Sequence, residues 1–259
     1  GRYEDARSLL TSELDTARAI RDSAGIAKAT GNLGLVWTDV GDFPRARAAY
    51  EQARDAMFAT GNKRGGANAL TNLGMLEIRV GDPAAALRVL SVARAVYDTL
   101  GYARGQEAAL GQMAEAYDAA GDPRLAFAYT DSALAIARRD GLREQQVDGL
   151  RHKASLYSDA GDLERSIDYF EQARSLAIEL DLPEVAAEIA REEARGLAAL
   201  GAVDRATVRA EEALAVHRKE GARLEQLWDQ LLVAELATHA GRRARAADAL
   251  RAARRERDT

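Results

Sequence analysis

A glycine recurs at a fixed interval of 40 residues along this chain of 259 residues. The glycines of this column are Gly1, Gly41, Gly81, Gly121, Gly161, Gly201 and Gly241. An aspartate follows the glycine at positions 42, 82, 122 and 162. A period of roughly 20 to 50 residues indicates an array of repeats, in which each unit buries its apolar face against its neighbours. We therefore expect a solenoid.

The composition favours helices over strands. Hydrophobic residues make up 47% of the chain and aromatic residues only 5%, so the apolar content is mostly Ala and Leu. Both are strong helix formers and neither is β-branched. With only four prolines in the chain, long helices can run without interruption. The predicted fold class is all-α.

Stacking the blocks of 40 residues gives each column a role in packing. One column is small, which would let the two helices of a hairpin approach closely; it comprises positions 34, 74, 114, 154, 194 and 234. A second column is Ala at positions 46, 86, 126, 206 and 246, with Ser166 substituting once. Large residues at 37, 117 and 157, and at 50, 90 and 170, would fill the space around these contacts. Each Gly-Asp pair would end one helix and cap the next.

These columns resemble the tetratricopeptide repeat, whose L-G-x2-Y…A-x3-F signature is followed by Leu33-Gly34-x2-Trp37 and Ala46-x3-Tyr50. The resemblance implies a right-handed α-solenoid of antiparallel helix hairpins, with about six and a half repeats. The standard repeat has about 34 residues, so a period of 40 lengthens each helix by nearly one turn. HEAT and armadillo repeats are the alternative, but they do not require the Leu-Gly, Gly-Asp and Ala columns together.

The same spacing predicts the domain organisation. We expect a single solenoid over residues 1–259, with thirteen helices. The second helix of a truncated repeat would occupy residues 1–22, and hairpins would follow at 23–60, 61–100, 101–140, 141–180, 181–220 and 221–259. A second glycine column at 61, 101, 141 and 221 marks the return turns between hairpins. Because the first residues lack an initiator Met and a signal peptide, we expect an excerpt of a longer chain.

In this family the first helix of each hairpin lines the concave side, and that face generally holds peptides. The register places positions 28, 32, 35 and 39, and their equivalents every 40 residues, on that side. One of these columns comprises Asn32, Asn72, Gln112, His152, Glu192 and Leu232. A side-chain amide both donates and accepts hydrogen bonds, so a ladder of amides could pair with an extended peptide backbone. Alternatively, Asn32 and Asn72 bond to neighbouring helices.

The predicted peptide-binding residues are the members of the ladder and the residues that line the face around it. They are Lys28, Asn32, Leu35, Asn68, Asn72, Met75, Arg79, Gln112, Glu115, Arg151, His152, Arg191, Arg195 and Trp228. Trp228 would anchor a partner residue or, alternatively, cover the last repeat. The Lys/Asn/Arg clamp with which chaperone-binding relatives hold a C-terminal carboxylate is not in place.

No residue pattern indicates catalysis, and we predict no enzyme activity, cofactor or metal. The three histidines, at 152, 217 and 239, do not form an HExxH motif, and Lys63-Arg64-Gly65-Gly66 lacks the order of a phosphate-binding loop. There is no cysteine. A net charge of −5 argues against a nucleic-acid partner, and no apolar run is long enough for a membrane span. The arginine-rich residues 241–259 would form a solvated face or, alternatively, contact an acidic partner, a phosphate surface or the next domain.

The resemblance implies a non-enzymatic scaffold that binds a protein or peptide segment, which could be another domain of the same parent chain. The alternative is a sensor or regulatory arm of a larger bacterial signalling protein, because similar arrays are attached to caspase-like CHAT proteases and to ATP-dependent transcription regulators. A third hypothesis is self-assembly, and the sequence leaves the oligomeric state open. The missing signals predict a cytoplasmic location.

Overall fold

A computed structural model describes residues 2–258, with the side chains of residues 3–257. These residues form thirteen α-helices and no strand. The helices are α1 Arg2–Ala19, α2 Ser23–Asp39, α3 Phe43–Ala59, α4 Lys63–Arg79, α5 Pro83–Leu100, α6 Ala103–Ala119, α7 Pro123–Arg139, α8 Arg143–Asp159, α9 Leu163–Glu179, α10 Pro183–Ala199, α11 Val203–Glu220, α12 Arg223–His239 and α13 Arg243–Asp258. The predicted all-α class and the predicted number of helices are confirmed.

The helices pack as consecutive hairpins. Helices α2 and α3 form the first hairpin, and α4–α5, α6–α7, α8–α9, α10–α11 and α12–α13 form the others. We call the even-numbered helices A helices and the odd-numbered helices B helices. The chain divides into two compact units, residues 1–140 with α1–α7 and residues 141–259 with α8–α13, which we call unit 1 and unit 2. Each unit is described by itself.

In unit 1, small residues allow the two helices of a hairpin to pack closely against each other. A Cβ added to Gly34 or Gly74 would lie 2.5 Å from side-chain atoms of Tyr50 or Leu90 on the partner helix of the same hairpin. Tyr50 and Leu90 are fully buried, and so are the alanines of the second small column at 46, 86 and 126. Both small columns therefore allow the close helix contacts that the sequence predicted.

Unit 2 uses the same columns but includes a buried charge. One of its core clusters contains Leu197, Ala206, Ala210 and Leu236. Beside this cluster, the fully buried carboxylate of Glu193 on α10 accepts hydrogen bonds from Arg174 on α9 at 2.9 Å and from Arg209 on α11 at 2.8 Å. Because a buried carboxylate needs such partners, these two bonds tie three successive helices together.

The turns explain both glycine columns. All ten of the glycines at helix ends between residues 41 and 241 have positive φ, from +59° to +82°. After the A helices, the aspartate that follows Gly81 caps the next helix, with Asp82 Oδ1 accepting from the Ala85 N–H at 2.8 Å, and Asp42, Asp122 and Asp162 cap in the same way. Two return turns lack glycine, and there Arg21 and Asp181 adopt φ of +57° and +56°.

The basic C-terminal segment consists of α13 and the turn before it. Three of its arginines form ion pairs with acidic side chains. Arg242 contacts Asp204 at 2.6 Å and Arg245 contacts Glu211, both on α11, and Arg251 contacts Asp248 on α13 itself. Among the described helices, none has both the length and the apolar character that crossing a bilayer requires.

Candidate functional site

Each A helix has one stripe of accessible side chains. Positions 28, 32, 35 and 39 of α2 are exposed or half-buried, and the equivalent positions of α4, α6, α8 and α10 are too. In α12 the stripe is also accessible except at Leu232, which is buried. This stripe carries the candidate residues except Arg151 and Arg191, which lie one position before His152 and Glu192 in the adjacent column. We call the stripe, together with this adjacent column, the A face of each unit.

The A face of unit 1 carries three neutral amides on successive A helices. Asn32 on α2, Asn72 on α4 and Gln112 on α6 are half-buried, and we call them the amide ladder. Helix α4 contacts both α2 and α6 directly. Within the described residues, no hydrogen bond uses the side chain of any of the three, and the Gln112 Oε1 atom is buried without a donor. The alternative in which Asn32 and Asn72 bond to neighbouring helices therefore has no support from these contacts.

A column of small residues runs beside the amide ladder. It consists of Gly31, Thr71 and Gly111 in unit 1, whereas the same column in unit 2 holds Arg151, Arg191 and Leu231. A Cβ on Gly111 would have only the far end of a Glu107 side chain within 4 Å, at 3.9 Å. Gly31 and Gly111 are half-buried and leave space next to the amides, whereas Thr71 is buried, with its hydroxyl 3.0 Å from that of Tyr97 on α5.

The remaining candidates of unit 1 surround the ladder with weaker contacts. Lys28 lies 3.9 Å from Glu13, and Arg79 lies 3.9 Å from Asp39. Both pairs are exposed, so solvent screens them. Asn68 accepts a hydrogen bond of 2.8 Å from the Tyr97 hydroxyl. The other members of the predicted set are accessible: Leu35 and Glu115 are exposed, and Met75 is half-buried.

In unit 2, the equivalent face is occupied by ion pairs between adjacent A helices. The Arg151 guanidinium on α8 donates to Glu188 at 2.9 Å and to both carboxylate oxygens of Glu192 on α10, the shorter bond measuring 2.6 Å. The hydrogen bond with Glu192 raises the pKa of Arg151 above its usual value. His152 next to it is half-buried. Protein atoms around Asp148 raise the pKa of its carboxyl by desolvation.

A second ion cluster joins α10 to α12 and extends into the core. Arg191 pairs with Glu225 and lies 3.4 Å from the carboxylate of Asp229, which is fully buried. Asp229 Oδ2 also lies 2.6 Å from Nδ1 of the buried His217 on α11. Burial raises the pKa of Asp229, and the hydrogen bond with His217 opposes this shift. Arg195, by contrast, is exposed and has no ion pair with any described residue.

Trp228 is exposed on the A face of unit 2, with 48% of its surface accessible. Two leucines that the sequence analysis did not select, Leu224 and Leu231, are also exposed on the same helix, by 62% and 37%. Spacings of four and seven residues place all three on one side of α12. Their hydrophobic periodicity was a signal that could have identified them.

The carboxylate partners of the arginines were not predicted from the sequence. Arg151 and Arg191 were selected as peptide-binding residues, but their carboxylate partners lie 34 to 41 residues further along the chain. A separation close to the repeat period is the signal that could have found them. In the part of the chain that the structure describes, no group of three or more His, Asp or Glu side chains is arranged to hold a metal ion.

Comparisons with known proteins agree with this architecture. A model of the tetratricopeptide repeat family matches residues 152–177. A search of curated proteins found no match.

Three solved structures illustrate the likeness in fold. A Rap protein complexed with competence and sporulation factor is 12% identical, with a TM-score of 0.72, and the match covers 91% of this chain and 75% of that one. A signal transduction ATPase with a tetratricopeptide repeat sensor, from Pyrococcus horikoshii, is 16% identical, with a TM-score of 0.69 and coverage of 92% and 38%. A kinesin light chain repeat protein of Podosopora anserina is 20% identical, with a TM-score of 0.62 and coverage of 73% and 94%. The repeat columns, the helix hairpins and these matches identify the chain as a tetratricopeptide repeat array.

Proposed function

We propose that the A face of unit 1 binds an extended segment of a protein or peptide, and that the array is a non-enzymatic scaffold. The observation that carries this proposal is the amide ladder. Asn32, Asn72 and Gln112 occupy equivalent positions on three successive A helices, and none of their amides is hydrogen-bonded within the described chain. In most structures, buried polar atoms such as Gln112 Oε1 have a partner.

An extended peptide backbone suits this arrangement. Its N–H and C=O groups can pair with the carbonyl and amino groups of a side-chain amide at the same time. The half-buried Gly31 and Gly111 have no side chain and leave room for the main chain of a ligand beside the ladder. Binding of this kind depends on the ligand backbone, so it tolerates variation in the ligand side chains.

The rest of the predicted set would contribute around the ladder. Leu35 and Met75 offer apolar contact, while Lys28, Arg79 and Glu115 offer charges at the rim. In unit 2 the predicted binding residues are Arg151, His152, Arg191, Arg195 and Trp228. There, a ligand would have to compete with the carboxylates of the ion clusters for Arg151 and Arg191.

Proteins of similar fold support a peptide partner. Solved structures with this fold include a Rap protein complexed with competence and sporulation factor and a Rap conjugation gene regulator in complex with the Phr* peptide. We propose a peptide or protein ligand for this chain as well, without nucleic acid, and a cytoplasmic location. The ligand could belong to the parent chain of the array.

The experiment is selection of binding peptides from a random display library, followed by affinity measurement with variants. The test variant is Asn32→Ala, Asn72→Ala, Gln112→Ala. The control is Gln52→Ala, Ser91→Ala, Ser132→Ala, which removes three exposed polar side chains from the B helices of the same unit. Each lost neutral hydrogen bond weakens binding by about 0.5–1.5 kcal/mol, so the test variant should bind the selected peptides at least about tenfold more weakly. Equal affinity of both variants, with unchanged circular dichroism, would contradict the proposal.

A second candidate function is a sensor arm that regulates an effector domain. It is favoured by the similarity to the Pyrococcus horikoshii signal transduction ATPase, which has a tetratricopeptide repeat sensor and of which the match covers only 38%. Under this hypothesis, ligand binding to the array changes the activity of a domain attached to it. Measurement of an effector activity in the parent protein, with and without the Asn32, Asn72 and Gln112 substitutions, distinguishes a sensor from a passive scaffold.

A further inference from the structure

Helix α12 presents an apolar stripe that no described residue covers. Leu224, Trp228 and Leu231 expose 62%, 48% and 37% of their surfaces along one side of the helix. We call these three residues the α12 stripe. On α10, the equivalent positions hold Glu184, Glu188 and Arg191. Trp228 makes no hydrogen bond, ring contact or cation contact with the described part of the chain. A Trp at such a position is typical of the residues that dominate binding energy in interfaces.

The charges beside the α12 stripe are predominantly negative. In the first ion cluster, one guanidinium, Arg151, faces the two carboxylates of Glu188 and Glu192. In the second, Arg191 faces the two carboxylates of Glu225 and Asp229. Each cluster thus has one more carboxylate than guanidinium, and in the second cluster the buried Asp229 also lies 2.6 Å from Nδ1 of His217.

Two further carboxylates lie at the ends of this surface. Glu184 at the start of α10 and Glu235 on α12 are exposed and have no ion pair among the described residues. Two exposed cations, Arg195 on α10 and Arg223 beside Leu224 on α12, oppose them, and Arg223 lies 4.0 Å from the carboxylate of Glu256. The surface next to the α12 stripe therefore attracts positive charge, and its attraction weakens as salt rises.

From this combination we propose that the α12 stripe is the docking surface of a cationic amphipathic helix from a partner protein. The apolar side of such a helix, with residues at i, i+4 and i+7, would pack on Leu224, Trp228 and Leu231. Its Lys and Arg side chains would face the carboxylates of α10 and α12. The inference concerns unit 2 and rests on contacts separate from the amide ladder, so it stands or falls independently of the function proposed for unit 1.

Trp228 itself provides the signal for the test. The chain has two tryptophans, and a Trp37→Phe background leaves Trp228 as the single reporter. The probe is a synthetic amphipathic helix of about 18 residues, or five turns, made of Leu and Lys. Its partner probe has the same leucines with every Lys replaced by Glu. Fluorescence titrations are carried out at low and high salt, and circular dichroism verifies that each variant remains folded.

The Leu/Lys helix is expected to shift the Trp228 emission to the blue, with an affinity that falls as salt rises. The Leu/Glu helix should bind at least about tenfold more weakly because like charges repel. Leu224→Ser with Leu231→Ser should reduce the affinity for the Leu/Lys helix by about tenfold or more. The matched control is Val208→Ser on α11, which changes a side chain that is 52% exposed outside the stripe.

Three outcomes would overturn the proposal. One is equal binding of both helices, which would make the charges irrelevant. Another is binding that survives the two serine substitutions, which would place the probe elsewhere. The third is a blue shift that depends on protein concentration without any probe, which would show that a second copy of the chain covers the stripe.

Discussion

Gly34 on α2 lies so close to the ring of Tyr50 on α3 that a Cβ at position 34 would come within 2.5 Å of the Tyr50 Cε1 atom. The Tyr50 ring cannot yield easily, because it is fully buried and its hydroxyl lies 3.1 Å from the Thr38 hydroxyl. Gly31, one turn earlier on the same helix, has a different environment. A Cβ there would meet only the Ala53 Cβ at 3.5 Å, an ordinary contact distance.

These two glycines should respond oppositely to alanine. Gly34→Ala should lower the free energy of unfolding by roughly 1–3 kcal/mol because the site is overfilled. Gly31→Ala should raise it by up to about 1 kcal/mol, since alanine favours the helix and meets no obstacle. Urea unfolding followed by circular dichroism measures both. Changes of the same sign and size in the two variants would show that the close contact with Tyr50 does not govern this hairpin.

Asp181 should gain stability from substitution by glycine. It holds a φ of +56° at a return turn where Gly221, in the next repeat, holds +69°. A non-glycine residue in this region is strained. Asp181→Gly should therefore raise the free energy of unfolding by about 0.5–1 kcal/mol, and the reciprocal Gly221→Asp should lower it by a similar amount. Thermal unfolding of the two variants checks the pair, and a destabilised Asp181→Gly protein would refute the strain at this turn.

The buried Glu193 should tolerate loss of its charge only if its arginine partners change with it. Glu193→Ala removes the buried carboxylate that Arg174 and Arg209 share and leaves them only the more exposed Glu212, so it should cost up to about 3 kcal/mol. The positions equivalent to Arg174, Glu193 and Arg209 in other repeats hold Leu134, Met113 and Tyr169, respectively. The triple variant Arg174→Leu, Glu193→Met, Arg209→Tyr should recover most of that loss, because buried ion networks can be exchanged for apolar packing. Chemical denaturation compares the single and triple variants, and a triple variant less stable than Glu193→Ala would contradict this account.

Asp229 should give the protein a distinct dependence of stability on pH. Burial raises its folded pKa, whereas the unfolded value is about 3.9. Between these two values the folded protein binds more protons, so the contribution of Asp229 to the free energy of unfolding falls as pH rises through that interval. The slope is at most about 1.4 kcal/mol per pH unit for one proton. Above the folded pKa the contribution is constant.

The measurement is urea unfolding of the wild-type protein and Asp229→Asn at a series of pH values from acid to neutral. The stability of the wild type relative to the variant should decline with rising pH over the acid part of the series. Arg191, Glu225 and His217 face the same carboxylate, so they stay unchanged in both proteins. If the stability of the wild type relative to Asp229→Asn increased with pH, the ion pairs would have a larger effect on the pKa of Asp229 than burial has.

Much of the fold could be predicted from the sequence because its signals are local and repeated. The glycine column predicted the positions of the turns, and the small residues opposite Tyr50 and Leu90 predicted the contacts within the hairpins. Arg21 and Asp181 show the limit of such patterns. Neither residue signals a positive φ, and each adopts one because the flanking helices require a turn of the same geometry.

The candidate site was less predictable than the fold. The pattern selected Arg151 and Arg191 as binding groups from their column alone, and only the structure shows the acids of the next A helix around them. Ion pairing depends on how adjacent repeats align, which residue identity does not specify. The amide ladder was easier to find, because it needs only equivalent positions on successive A helices.

The most direct test of the amide ladder is a nuclear magnetic resonance titration of the side-chain amide signals with a peptide selected from the display library. The signals of Asn32, Asn72 and Gln112 should shift together along one binding curve. The signal of Asn62, which caps α4 through a hydrogen bond from the Gly65 N–H, serves as the control and should remain in place. Peptide binding that leaves the three ladder signals unmoved would contradict the central claim that these amides hold the ligand.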